Sequence, residues 1–137
     1  MPDAVSGPGI TDSAGLGLAV GRLAGSSRKA GRSAFMVLAC NLEDGETVQA
    51  VVQCRFRGAA GAMALTDRRL LIVNEREWSP DVTPVGLEPG LTVQGWQDGG
   101  SAAIVLGRDG HEIVIDRISD LDLVQEIVGE IRSRSGD

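Results

Sequence analysis

The sequence predicts an α+β, mostly β fold: a strongly bent, seven-stranded antiparallel sheet or barrel capped by one C-terminal amphipathic helix. Three observations predict it. Val48, Ala50, Val52, Cys54 and Phe56 alternate with Thr47, Gln49, Val51, Gln53, Arg55 and Arg57, the period-two pattern of a half-buried strand. Asp109-Gly110 sits between two apolar runs, a strong short-range hairpin signal. From Leu121 onward, Leu121, Val124, Ile127, Val128 and Ile131 line up on one helical face.

The elements follow in order. Residues 1–32 are rich in Gly, Ser and Ala and read as a flexible basic arm, with at most a marginal helix over Ser13–Leu23. Glycine costs a helix about 1 kcal/mol per residue relative to alanine, and the sparse apolar residues offset little ordering entropy unless they dock. Residues 33–137 read as the folded domain. Ser33–Leu42 is glycine-free, opens on a capping serine and places Phe35, Met36, Leu38, Ala39 and Leu42 at helical spacing. Gly45 can end it. Thr47–Arg57 is the first strand, and Gly58-Ala59-Ala60-Gly61 the break. Gly61–Leu65 and Arg69–Asn74 are the second and third strands. Val82–Leu87 contains Pro84 and reads as an edge strand. Leu91–Gln97, Ala102–Leu106 and Glu112–Asp116 complete the seven. The final helix is expected from an N-cap at Ser119, with Asp122 as its capping-box partner, to about Ser133; Arg132 and Arg134 suit the negative end of its dipole. Its stripe contributes about 1.5–3 kcal/mol per fully buried residue before entropy, so the helix is a lid on an apolar sheet.

Composition narrows the function classes. Aromatics are limited to Trp78, Trp96, Phe35 and Phe56, with no tyrosine, so the core is aliphatic and a base-stacking surface for single-stranded nucleic acid is disfavoured. The first 32 residues carry four basic and two acidic side chains, +2, which leaves −8 for the rest of a net −6 chain. An acidic body disfavours nucleic acid, where affinity rests on neutralising phosphates. Cys40 and Cys54 stand in apolar contexts and read as buried thiols. No basic-then-apolar leader precedes the arm, and no run approaches the ~18 apolar residues that span a bilayer. The expected setting is cytoplasmic and reducing.

Seven short strands followed by one helix is the order of the pleckstrin-homology (PH) superfold. Bacterial PH-like and GRAM-like domains resemble this chain in three places. The first is a helix running into Leu42-Glu43-Asp44-Gly45-Glu46-Thr47-Val48. The second is the hairpin Gly61-Ala62-Met63-Ala64-Leu65-Thr66-Asp67-Arg68-Arg69-Leu70. The third is the amphipathic terminal helix. Together they cover roughly residues 33–134. The resemblance implies a non-catalytic interaction or scaffold module that binds a protein partner or a second copy as a homo-oligomer. An anionic-lipid or membrane-surface module acting through the basic arm is the alternative. Lipid-binding PH domains carry a basic cluster in the first strand–loop–strand, where this chain has Arg55 and Arg57 followed by neutral residues.

Few residues carry chemistry. His111 is the single histidine and follows Asp-Gly in a turn, an exposed position that does not orient it as a triad base. One histidine and two scattered cysteines do not make a zinc site. Glu43, Asp44 and Glu46 read as a solvated corner, without EF-hand spacing. Gly15–Gly21 lacks the preceding strand of a nucleotide fingerprint. In the central hairpin, Asp67 or Glu75 is expected to pair with Arg68 or Arg69, a contact worth at most about 1 kcal/mol if exposed. The expectation is no enzyme and no cofactor. The candidate interaction residues are Arg22, Arg28, Lys29 and Arg32 in the arm, and Trp78, which anchors an interface if exposed. Trp96 is expected in the core.

Overall fold

A computed structural model describes residues 14–136. The helices are α1 (Leu16–Gly21), α2 (Gly25–Ala30), α3 (Arg32–Asn41) and α4 (Leu121–Ser135). The strands are β1 (Val48–Phe56), β2 (Ala59–Thr66), β3 (Arg69–Asn74), β4 (Val82–Gly86), β5 (Thr92–Asp98), β6 (Ser101–Arg108) and β7 (His111–Ile118). The fold is α+β and mostly β, with one antiparallel sheet in the order β4-β3-β2-β1-β7-β6-β5 and α4 after it.

The sheet does not close into a barrel: β4 and β5 are its edges. Pro84 lies on β4, where a missing N–H costs no ladder bond. Near that edge, Arg108 of β6 donates to the carbonyls of Gly86 and Glu88, both at 3.1 Å. A guanidinium tethers the β4 end to β6 where a closed barrel would have a backbone ladder.

Two left-handed positions make each of two hairpins tight. Arg57 and Gly58 (φ 51° and 82°) join β1 to β2, and Asp109 and Gly110 (φ 53° and 81°) join β6 to β7. The second is the expected Asp-Gly turn. The first falls earlier than the expected Gly58–Gly61 break, because Ala59 and Ala60 pair with Phe56 and Arg55.

Both faces are buried in the β1–β3 part of the sheet. Val52, Met63 and Ile72 are in register on one face and Val51, Ala64 and Leu71 on the other, all fully buried. This gives the unbroken apolar runs of β2 and β3. Helix α3 packs on β2 and β3, and α4 on β1, β5 and β6. In the β5–β7 part burial alternates along β6, β5 buries only Val93, and Trp96 and Val114 are about half exposed. Trp96 is therefore not a core residue: it points away from the face that buries Val93.

The flexible-arm expectation needs correction from residue 14 on; residues 1–13, including Ser13 of the expected helix, lie outside the described residues. Leu16, Ala19, Val20 and Leu23 are buried in the same cluster as the sheet, so no boundary separates residues 14–32 from the domain. Burial of these side chains, about 1.5–3 kcal/mol for each large one, outweighs the poor helix propensity of the glycines. Gly15 serves here too: at φ 82°, a Cβ on it would lie 2.9 Å from the Val48 carbonyl oxygen.

The expected caps also moved. Gly31, not Ser33, precedes α3. Asp120, not Ser119, is the N-cap of α4, and it makes no side-chain bond to its own helix. Asp120 Oδ1 accepts the Ala24 N–H at 3.0 Å, and Ser119 Oγ meets Ser27 Oγ at 3.3 Å. Both residues are spent on the N-terminal segment. Cys40 and Met36 lie on the exposed side of α3, whereas Cys54 is buried, and burial pushes its thiol pKa up.

Candidate interaction surface

The polar chemistry concentrates at the two ends of β3. At its start the Thr66–Arg69 turn meets the segment after α3. Glu46 is only 1% exposed. Arg69 Nε and Nη2 each donate to it at 2.8 Å, Thr66 Oγ1 donates at 2.7 Å, and the Glu43 N–H donates at 2.9 Å. The Arg69 hydrogen bonds dominate and lower the Glu46 pKa from 4.5 to about 2. Thr66 Oγ1 also accepts the N–H groups of Arg68 and Arg69, each at 3.0 Å, and Asp67 Oδ1 accepts the Thr47 N–H at 2.8 Å. Arg134 of α4 donates to the Thr66 carbonyl at 2.7 Å and to Gln49.

This turn differs from expectation. Neither Asp67 nor Glu75 pairs with an arginine: Arg69 pairs with Glu46, and Arg68 with Glu43 at 3.3 Å. Of the corner read as solvated, Glu46 is interior. Thr66, Asp67, Arg68 and Arg69 each have a partner within the molecule, so the site is architectural, tying α3, β1, β2, β3 and α4 together.

The other end of β3 is built the opposite way. Asn74, fully buried, closes the loop to β4. Its Nδ2 donates to the Phe56 carbonyl at 3.0 Å and to Asp81 at 3.1 Å. Its Oδ1 accepts the N–H of Asp81 at 2.8 Å and that of Arg76 at 3.3 Å. Arg76 reaches the Arg57 carbonyl at 2.8 Å, and Arg57 faces Asp81 at 3.8 Å while its guanidinium lies over the Phe56 ring. The loop is thus fastened at both ends and to the β1–β2 turn. Beyond those ties stands Trp78, 98% exposed and at φ 68°. A left-handed backbone costs a non-glycine residue about 1–2 kcal/mol. Neither burial nor backbone preference explains a tryptophan at this position.

The other candidate residues disperse. Arg22 makes a two-pronged contact with Glu126 at 2.7 and 3.1 Å. Arg28 donates to the carbonyls of Leu23 and Gly21 at 3.1 and 3.4 Å. Lys29 and Arg32 are exposed and form no ion pair among the described residues. The four cations therefore do not form one free basic patch. Near the β1–β2 turn, Arg55, Arg57 and Arg117 share a shallow groove with Glu112 and Asp116, a surface of mixed sign. His111 is exposed, as expected for its turn. Among the described residues no cluster of His, Cys, Asp or Glu could hold a metal, and no helix is long and apolar enough to cross a membrane.

A second feature has no counterpart in the sequence reading. Between β5 and α4 lies a groove of about 420 Å³, lined by Gly95, Trp96, Ile104, Val128, Gly129 and Arg132 among others. Its residues come from the β5–β6 hairpin and from α4, some 20 residues further on, so no local pattern announces it. The Trp78 loop did carry a signal: Asn74 and Asp81 bracket it, both turn-forming residues with local acceptors. No protein-family model, no curated protein and no solved structure matches this chain.

Proposed function

We propose that the protein is a non-catalytic interaction module of pleckstrin-homology-like architecture that binds a protein partner through the Trp78 loop. One observation carries this reading: a tryptophan almost wholly in water, in a backbone conformation that disfavours it, on a loop fastened by Asn74 and Asp81. A large aromatic on a prefixed loop loses little entropy on docking and is the typical anchor of a protein interface. Engagement of Arg22 with Glu126 and of Arg28 with backbone carbonyls weighs against a lipid surface reached through residues 22–32.

The test is photo-crosslinking in the cell of origin, with Ser79→p-benzoylphenylalanine placing the probe beside the indole at an exposed position. We expect a protein adduct that disappears when Trp78→Ala is added. A phospholipid adduct, or no Trp78-dependent adduct, overturns the reading.

A further inference from the structure

The Trp78 loop and the β5–α4 groove fit one another, and we infer that the partner of Trp78 is a second copy of this chain, whose groove receives the indole. This rests on the interaction reading above and names its partner.

The two surfaces match in shape and sign. The groove holds about 420 Å³ and is open to solvent along α4; Val128 and the Gly95 and Gly129 backbones line it, with buried Ile104 as its floor, and Gly95 leaves room where a side chain would fill it. Glu75 and Glu77 precede Trp78 and form no ion pair among the described residues, while Arg76 between them is turned to the Arg57 carbonyl. Arg132, at the groove, spends one donor on the Val93 carbonyl at 3.3 Å and likewise has no acidic partner among the described residues. Its remaining donors can meet the glutamates that arrive with the indole. A chain of net charge −6 repels its copies, so a local contact of opposite sign is what sets the register.

The geometry allows a reciprocal two-fold pair as well as a head-to-tail contact. Trp78 follows β3, next to one edge of the sheet, whereas the groove borders β5, the other edge. Knob and groove are different surfaces of one molecule, so each copy gives one and receives one. Such a head-to-tail contact closes into a ring or continues as a filament.

Light scattering of the full chain across concentrations tests this with two variants chosen to leave the fold intact. Trp78→Ala removes the knob from an exposed site. Gly129→Glu blocks the groove and adds a repelling charge; Gly129 is exposed, has open space where a Cβ would sit, and glutamate is the better helix former. The wild type is expected to show a mass above one subunit that rises with concentration. Each variant alone is expected to stay at one subunit. Their equimolar mixture is expected to give two subunits and nothing larger, because it holds one intact knob and one intact groove. Arg132→Glu should weaken association at least tenfold. A wild type at one subunit throughout, a variant that keeps the wild-type mass, a mixture that stays at one subunit, or an unaffected Arg132→Glu overturns the inference. The Ser79 crosslink separates the two failures. A Trp78-dependent adduct with a different protein keeps the interaction reading and sinks self-association, whereas loss of any such adduct sinks both.

Discussion

The two ends of β3 use polar residues for opposite purposes. At Thr66–Arg69 the side chains turn inward: a carboxylate and a guanidinium are taken from water and every lone pair is met from within. At Asn74–Asp81 the polar groups fix a loop whose largest side chain is left in solvent. The first arrangement strengthens the fold and presents nothing. The second adds little packing and presents an indole. A charged motif that stands out in sequence is thus no guide to a functional surface, whereas an apolar residue placed where folding has no use for it is one.

Cutting the inward end should cost most. Arg69→Ala leaves Glu46 buried without its cation, an uncompensated charge worth about 3–5 kcal/mol. Urea unfolding is expected to show a loss of that size at pH 7, and a loss under 1 kcal/mol would mean that the pair is not structural. Next comes the pH dependence of the same end. The carboxyl of Glu46 is held at about 2 in the fold against an ordinary 4.5. The unfolded chain therefore binds its proton first as pH falls. The stabilisation is complete above about 4.5 and is lost as pH falls toward 2. Glu46→Gln should flatten that part of the acid-unfolding profile.

At the other end, Asn74→Ala strips the Phe56 carbonyl and the Asp81 N–H of their partner. Leaving buried polar groups unmet costs about 1–3 kcal/mol, and backbone hydrogen exchange should rise across residues 75–81 with the sheet unchanged. The smallest effect is expected at the tip: Trp78→Gly relieves the left-handed backbone and should not lower the thermal midpoint. If it does, the indole has a packing role and the contrast between the two ends fails.

Much of the architecture was legible because each strand carries its own pattern. Arg69–Asn74 is framed by a polar turn and by Asn74, and the strand fell where expected. Pro84 marked an edge, and the stripe ending at Ile131 marked the terminal helix. The misreadings share one cause: a partner distant in sequence. Glu46 resembled its solvated neighbours Glu43 and Asp44 until Arg69, 23 residues on, folded over it. Ser119 and Asp122 read as a capping box, but Ser119 and Asp120 serve the segment at Ala24 and Ser27, some 90 residues earlier. Glycine-rich α1 and α2 have little reason to be helical alone and take their order from the sheet. Trp96, at the end of a strand before a turn, reads as a core residue, yet it falls on the solvent side of the pleat.

The latch between the first and last described helices has a consequence for biogenesis. Arg22 meets Glu126 across 104 positions, and Ala24 meets Asp120 across 96. Synthesis runs from the N-terminus, so α1 and α2 are made long before α4; α1 finds its packing partner early, in β1, whereas its polar tie waits for α4. The short β1–β7 ladder, two residue pairs long, cannot hold that region shut by itself. The latch is therefore the last tie of this segment to form, and a chain cut before Leu121 should leave residues 22–27 more open to protease than the chain that carries α4.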